Sequence, residues 1–293
     1  MTLDFTGQVV IVTGAGRGLG RRYALDLGAA GARVVVHARR SDAAGGVVTA
    51  IRAAGGEAVA AVADARDGEV LASVALREFG RLDALLCNAG ITRDRSFART
   101  TPEDWAEVLD VHLGGAYAAC AAVWPHLTGQ GSGAIVLTTS GAGLHGNFGQ
   151  AGYAAAKAGV IGLAKSLAIE GERKGVRVNA VAPMALTDMT RDVFGDGPPS
   201  TLAPEAVSPV VLALAHPSCP LTGEVVETGG GWASLLRWER SAGVRFPAGE
   251  LSPGSVAARW PDIARFDRTA DHPRTTADSL AAACAAASSG GTP

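Results

Sequence analysis

The sequence predicts an α/β protein, a doubly wound parallel sheet with helices on both faces. Three observations carry that prediction. Short β-branched runs alternate with longer Ala-rich segments of helical period along the first 231 residues, as in strands joined by crossover helices. Val34, Val35 and Val36 are apolar at successive positions rather than alternate ones, the pattern of a strand covered on both faces. A glycine-rich turn, Gly14 to Gly20, lies between the first such run and the first helical segment, where an open α/β sheet offers its backbone to a ligand.

In chain order the strands are expected at QVVIVTG, RVVVHA, EAVAAVAD, LDALLCNAG, GAIVLTTS, RVNAVAP and EVVETGG, each bounded by turn-forming residues. Helical period places helices over residues 18–31, 43–55, 67–80, 102–128, 150–174 and 203–216. With 293 residues, 47% of them hydrophobic, the chain can bury one large core. Residues 1–231 are read as one dinucleotide-binding and catalytic domain. After Gly231 the alternation breaks, so 232–268 is read as a C-terminal extension packed on the core. Residues 269–293 form a tail, either an isolated Ala-rich helix or disorder.

A formal net charge of -2 gives no electrostatic reason for a nucleic-acid or anionic-membrane partner, so a small molecule is the expected ligand. The start has no signal-peptide pattern, no run reaches the length of a membrane span, and the last residues, SSGGTP, are not a peroxisomal SKL-type address. A cytoplasmic protein is expected. Cys87, Cys120, Cys219 and Cys284 lie far apart without CxxC spacing, and the six histidines show no close ligand spacing. No metal site is expected.

Gly14, Gly18 and Gly20, with Arg17 and Leu19 between them, let the backbone turn sharply toward a pyrophosphate whose charge the free N–H groups and dipole of a helix start would favour. The second strand ends in His37-Ala38-Arg39-Arg40, where an NAD site would carry an acidic residue for the ribose 2′-hydroxyl. Ala38 lacks that carboxylate and Arg39 suits a 2′-phosphate, so NADP(H) is favoured over NAD(H). For Arg40 a solvated charge and a phosphate contact are equally supported.

Tyr153 and Lys157 are four residues apart in a predicted helix and therefore share a face. Ser140 ends the fifth strand, on the side where such sheets present residues to ligand. Carbonyl reduction needs a proton donor and hydrogen bonds that strengthen as charge grows on oxygen. Tyr153 suits the first task, Ser140 the second, and the cation of Lys157 lowers the cost of a phenolate.

TGxxxGxG, Cys87-Asn88-Ala89-Gly90, Ser140 and YxxxK together resemble the classical short-chain dehydrogenase/reductase family over residues 5 to about 231. The resemblance implies a single seven-stranded Rossmann-type domain. It makes Tyr153 the acid/base, gives Lys157 a second task on the nicotinamide ribose, and has Ser140 position substrate. It also places Asp64 at adenine and Asn88, Ala89 and Gly90 beside the adenosine ribose, with Pro183 and Leu186 completing the cofactor set. His112 stands where most of the family has a catalytic Asn, and Met184 where most has Gly. Within the family, GITRDRSFART, HGNFGQAGYAAAKAG, SLAIEG and LLRWERSAG resemble the (3R)-hydroxyacyl-CoA dehydrogenase region of peroxisomal multifunctional enzyme type 2. That likeness implies a 3-oxoacyl or 3-hydroxyacyl thioester substrate and a homodimer or homotetramer. Another ketone or secondary alcohol, such as a polyketide or steroid, is the alternative substrate. A non-catalytic nucleotide-binding member is disfavoured by the intact Ser140, Tyr153 and Lys157. The loop from Met184 to Leu202 has Gly and Pro hinges suited to closing over substrate.

Overall fold

Val9–Val12 forms β1 with all four side chains buried, which is possible only at the centre of a sheet covered on both faces. The structure, a computed structural model, describes residues 3–187, 200–266 and 272. β1 pairs in parallel with β2 (Arg33–Ala38) on one side, Val10 opposite Val34, and with β4 (Ala84–Cys87) on the other, Val10 opposite Ala84. Outward from β2 comes β3 (Glu57–Val62); outward from β4 come β5 (Gly133–Thr138), β6 (Val176–Pro183) and β7 (Val225–Gly229), all parallel. The sheet order is β3-β2-β1-β4-β5-β6-β7-β8. The winding therefore reverses between β1 and β4, and the crevice outside their carboxyl ends is where such a sheet takes its ligand.

The expected seven strands are present, but the sheet has eight. β7 stops at Gly229 and the chain turns through Gly230 and Gly231, with φ of 59° and 81°, into β8 (Trp232–Leu236). Two left-handed residues make a tight hairpin, and so short a link returns the strand antiparallel. Trp232 and Leu235 are about half exposed, as edge-strand residues are. The division into two compact units accordingly falls between Leu235 and Leu236. In the second unit, Pro253–Ala258 and Trp260–Ile263 are short helices, the first capped reciprocally by Ser252 and Ser255. Of the expected tail, 269–293, only His272 lies within the described residues.

The crossover helices are α1 (Gly18–Ala29), α2 (Ser41–Ala53) and α3 (Gly68–Phe79) in the first half. The helix expected over 102–128 runs from Pro102 to Gln130 as α4 (Pro102–Leu109) and α5 (Gly115–Gln130), continuous through a π-helical turn over Asp110–Gly114. Thr101 caps α4 by accepting the Asp104 N–H at 3.1 Å. After β5 come the short α6 (Gly141–His145) and the long α7 (Ala151–Gly171); α8 (Ser208–Ala215) precedes β7. Most of the loop expected to cover substrate, residues 188–199, lies outside the described residues.

Candidate active site

The glycine turn is fastened to the switch point by a residue absent from the expected site set. Thr13 Oγ1 accepts the N–H groups of Asn88 at 2.9 Å and Ala89 at 3.1 Å, while the Asn88 amide donates to the Thr13 carbonyl at 3.3 Å. This draws β1 and β4 together so closely that a Cβ on Gly14, whose φ is +64°, would lie 2.8 Å from Ala89 Cα. A Cβ on Gly20 would lie 2.4 Å from the Gly14 carbonyl oxygen. Gly18, at φ +54°, faces a gap with the Thr187 side chain 3.6 Å from where its Cβ would be. Arg17 precedes α1 in extended conformation and gives it no side-chain cap. Leu19 and Gly20 are the helix's next residues, so their N–H groups front an anion site. The cradle fits a dinucleotide pyrophosphate.

At the adenosine end, Ala38 is buried beside the turn, 3.2 Å from where a Gly16 Cβ would stand. Arg39 is exposed, whereas Arg40 is ion-paired with Asp42 on the surface. Asp64 carries a partner that the sequence reading missed: Arg66 donates to both its carboxylate oxygens, at 2.7 and 3.0 Å, and reaches Asp110 at 2.7 Å. These bonds hold the Asp64 carboxyl down to about 2. Asp64, Asn88, Ala89 and Gly90 all follow strand ends that border the crevice, and Pro183 closes β6 on the same side. Leu186 is held by its N–H to the Leu202 carbonyl at 2.6 Å. Met184 is accommodated because Gly229 faces it, where a Cβ would meet its carbonyl oxygen at 2.3 Å.

Ser140 caps α6, its Oγ accepting the Ala142 N–H at 3.2 Å, and its hydroxyl acts on the Tyr153 phenol. Burial raises the Tyr153 pKa while the Ser140 hydroxyl lowers it, the burial effect being the larger. One turn along α7, Lys157 is buried, with Nζ 5.7 Å from the centre of the Tyr153 ring. Its ammonium donates to the Thr138 carbonyl at 2.7 Å, and Thr139 Oγ1 donates to the Lys157 carbonyl at 2.7 Å. The end of β5 thus grips the helix at the reactive lysine. Burial pushes Lys157 down to about 8.

His112 sits in the π-turn, packed edge-on to Tyr153 with ring centres 5.0 Å apart. Its Nε2 lies 2.7 Å from the Ile91 carbonyl oxygen and 3.2 Å from the Ile91 backbone nitrogen. Nδ1 is buried and has no hydrogen-bond partner. Burial, aided by the Lys157 charge, pushes His112 down to about 3, so the ring is neutral. Thr13, Cys87, Ala89, His112, Thr138 and Lys157 line one small cavity. Ser140, Tyr153, Lys157 and His112 are thus brought together beside the glycine turn. Thr138 and Thr139 carry no sequence signal beyond their place at a strand end. Among the described residues no group of three His, Cys, Asp or Glu side chains is arranged to hold a metal ion, and no helix is long and apolar enough to cross a membrane.

Residues 8–196 match the family model for short chain dehydrogenases. A 3-oxoacyl-[acyl-carrier-protein] reductase of Synechocystis sp. is 49% identical over 193 residues, which cover 64% of this chain and 78% of that protein. The chain belongs to the short-chain dehydrogenase family. As a member it takes a nicotinamide dinucleotide, NAD(H) or NADP(H), as cofactor. Peroxisomal multifunctional enzyme type 2 of Mus musculus is 44% identical over 94% of this short-chain dehydrogenase, which spans only 39% of the mouse protein. The structure of the full-length peroxisomal multifunctional enzyme type 2 from Drosophila melanogaster superimposes with a TM-score of 0.85 at 38% identity, covering 97% of this chain and 50% of that one. These names overturn the expectation of a cytoplasmic protein: relatives matched over nearly the whole chain are peroxisomal enzymes.

Proposed function

We propose that this short-chain dehydrogenase interconverts 3-oxoacyl and 3-hydroxyacyl thioesters, using NADP(H) in preference to NAD(H). The observation that carries the proposal is the convergence of Ser140, Tyr153 and Lys157 beside the glycine cradle, with the acyl-carrier reductase and the multifunctional enzymes among the relatives. The dinucleotide, when bound, supplies or accepts the hydride. Gly14, Gly18 and Gly20, with Arg17 and Leu19, would hold its pyrophosphate; Asp64, Asn88, Ala89 and Gly90 would border its adenosine, and Pro183 and Leu186 its other end. Ser140 Oγ and the Tyr153 hydroxyl hydrogen-bond the substrate carbonyl oxygen, where charge develops. Tyr153 gives its proton to that oxygen, and the nearby ammonium of Lys157 lowers the cost of the phenolate left behind. His112 supports this side of the site through its edge-on contact with Tyr153. The working form is a homodimer or homotetramer.

Arg39, exposed at the end of β2 with no carboxylate beside it at position 38, supports the NADP(H) preference. A charge-assisted contact to a 2′-phosphate contributes about 1.5–3 kcal/mol, roughly a ten- to hundredfold preference. The test compares kcat/KM for a 3-oxoacyl-CoA and the matching free ketone, each with NADPH and NADH, in wild type and in Ala38→Asp/Arg39→Leu. The thioester should win with NADPH, and the double variant should shift toward NADH. A clear advantage for the free ketone would remove the thioester assignment, and wild-type preference for NADH would remove the role of Arg39.

A further inference from the structure

His37 is 1% exposed near the end of β2, and both of its ring nitrogens are engaged. Nδ1 receives the Gly14 N–H at 3.2 Å and Nε2 lies 3.1 Å from the Ala63 carbonyl oxygen. A backbone N–H can only donate and a carbonyl can only accept, so Nδ1 carries the lone pair and Nε2 the proton. His37's own carbonyl accepts the Ala15 N–H at 2.8 Å. Burial keeps the ring below its ordinary pKa and so neutral, against the weaker opposing effects of the Ala63 bond and the charges of Asp64 and Asp67. Gly14 opens the glycine turn, and Ala63 immediately precedes Asp64. One imidazole therefore ties the ends of β1, β2 and β3 together beneath the two halves of the cradle.

We propose that His37 is a positioning residue for the dinucleotide: its fixed tautomer holds Gly14 in its left-handed conformation and sets the turn in register with the segment at Ala63 and Asp64. The proposal rests on the reading of the glycine turn as the dinucleotide site. It requires the acceptor at Nδ1 above all, because without it the part-buried N–H of Gly14 at the start of the turn loses its partner. Three variants separate this from simple packing. His37→Asn keeps an acceptor near the Nδ1 position, His37→Gln keeps a donor near the Nε2 position, and His37→Leu keeps neither.

The experiment measures the Kd of NADPH and of NADH by fluorescence, amide exchange over residues 13–20 in the cofactor-free protein, thermal midpoints, and kcat at saturating cofactor. The expected result is wild-type-like binding within about threefold for His37→Asn, and binding at least about tenfold weaker, a change of about 1.4 kcal/mol, for His37→Gln and His37→Leu. Exchange over 13–20 should be faster in those two, with kcat at saturating cofactor within about twofold throughout. Wild-type affinity in His37→Gln and His37→Leu would overturn the proposal. So would equal loss in all three variants in proportion to their thermal midpoints, which is what packing alone produces. Should His37→Leu or His37→Gln not fold, His37→Asn decides, a loss beyond tenfold counting against the proposal. Failure of the wild-type chain to bind either dinucleotide would instead remove the reading on which the proposal rests.

Discussion

Lys157 is the residue whose chemistry most plainly opposes its place in the fold. Its folded pKa is about 8 against an ordinary 10.5, with burial as the main cause. Between those values the unfolded chain binds more protons than the folded one, so stability rises as pH climbs from about 8 to about 10.5; below 8 the full penalty is present. A displacement of that size corresponds to about 3 kcal/mol, offset by about 1 kcal/mol for the bond to the Thr138 carbonyl. Lys157→Met should therefore raise stability at pH 7 by about 2 kcal/mol, with the gain shrinking toward pH 10, while turnover collapses. Denaturant unfolding at pH 7 and pH 10 checks it, and a variant less stable than wild type at pH 7 would contradict the account. Tyr153 is different, because its ring can be kept while its proton is removed. Tyr153→Phe leaves Ser140 bonded to the Ala142 N–H, so the fold and the Kd for NADPH should change little. Single-turnover reduction should slow at least about a hundredfold, and wild-type rates would exclude Tyr153 as the proton donor.

The π-turn between α4 and α5 is the element on which the site's inner wall depends. A turn of i→i+5 bonds inserts a residue into the helix, and His112 in that turn is brought to 3% exposure against Tyr153 and Gly90. A Cβ on Gly90 would stand 2.4 Å from His112 Cε1, so Gly90→Ala must displace either the ring or the segment after β4. The expected cost is about 1–3 kcal/mol of stability, with kcat lowered more than cofactor affinity. Unchanged stability and kcat would mean that the ring moves freely. The turn was not legible in the sequence because apolar residues continue through it, so periodicity reads one helix over 102–128. β8 was hidden for a related reason: with Trp232 and Leu235 about half exposed at an edge, no buried run marks it. The six inner strands were legible because burial on both faces leaves continuous apolar runs, and the edge strand β3 because its Ala/Val run is bounded by turn residues. Tyr153 and Lys157 were legible because four residues is a helical repeat. No comparable spacing reveals His37 or Thr13, whose partners are distant in sequence and meet only through the sheet order, or the reach of Arg66 to Asp110.

At the scale of the whole molecule, α5 and α7 pack side by side and are apolar around most of their circumference. A helix of that kind belongs inside a protein, yet Tyr117 and Ala121 on α5 and Ala155, Ala158, Gly162 and Ile169 on α7 are exposed. Tyr153 and Lys157 lie on the opposite face of α7 from Ala155 and Ala158, so the face left open is the back of the catalytic helix. Small side chains there would allow a second copy to approach closely, and covering the patch removes apolar surface from water at about 25 cal/mol per Å². The homodimer or homotetramer proposed for this chain is expected to use this face. Wild type should sediment as a dimer or tetramer at micromolar concentration. Ala155→Arg/Ala158→Arg should sediment as a monomer with a lower thermal midpoint, because two unpaired cations on each copy would have to be desolvated on association. Its turnover should fall with the concentration of assembled enzyme, since the helix that loses its support carries the proton donor. Sedimentation of wild type as a monomer at those concentrations would sink the proposed assembly. An assembled double variant would move the contact to another face and leave the apolar surface of α5 and α7 without an occupant.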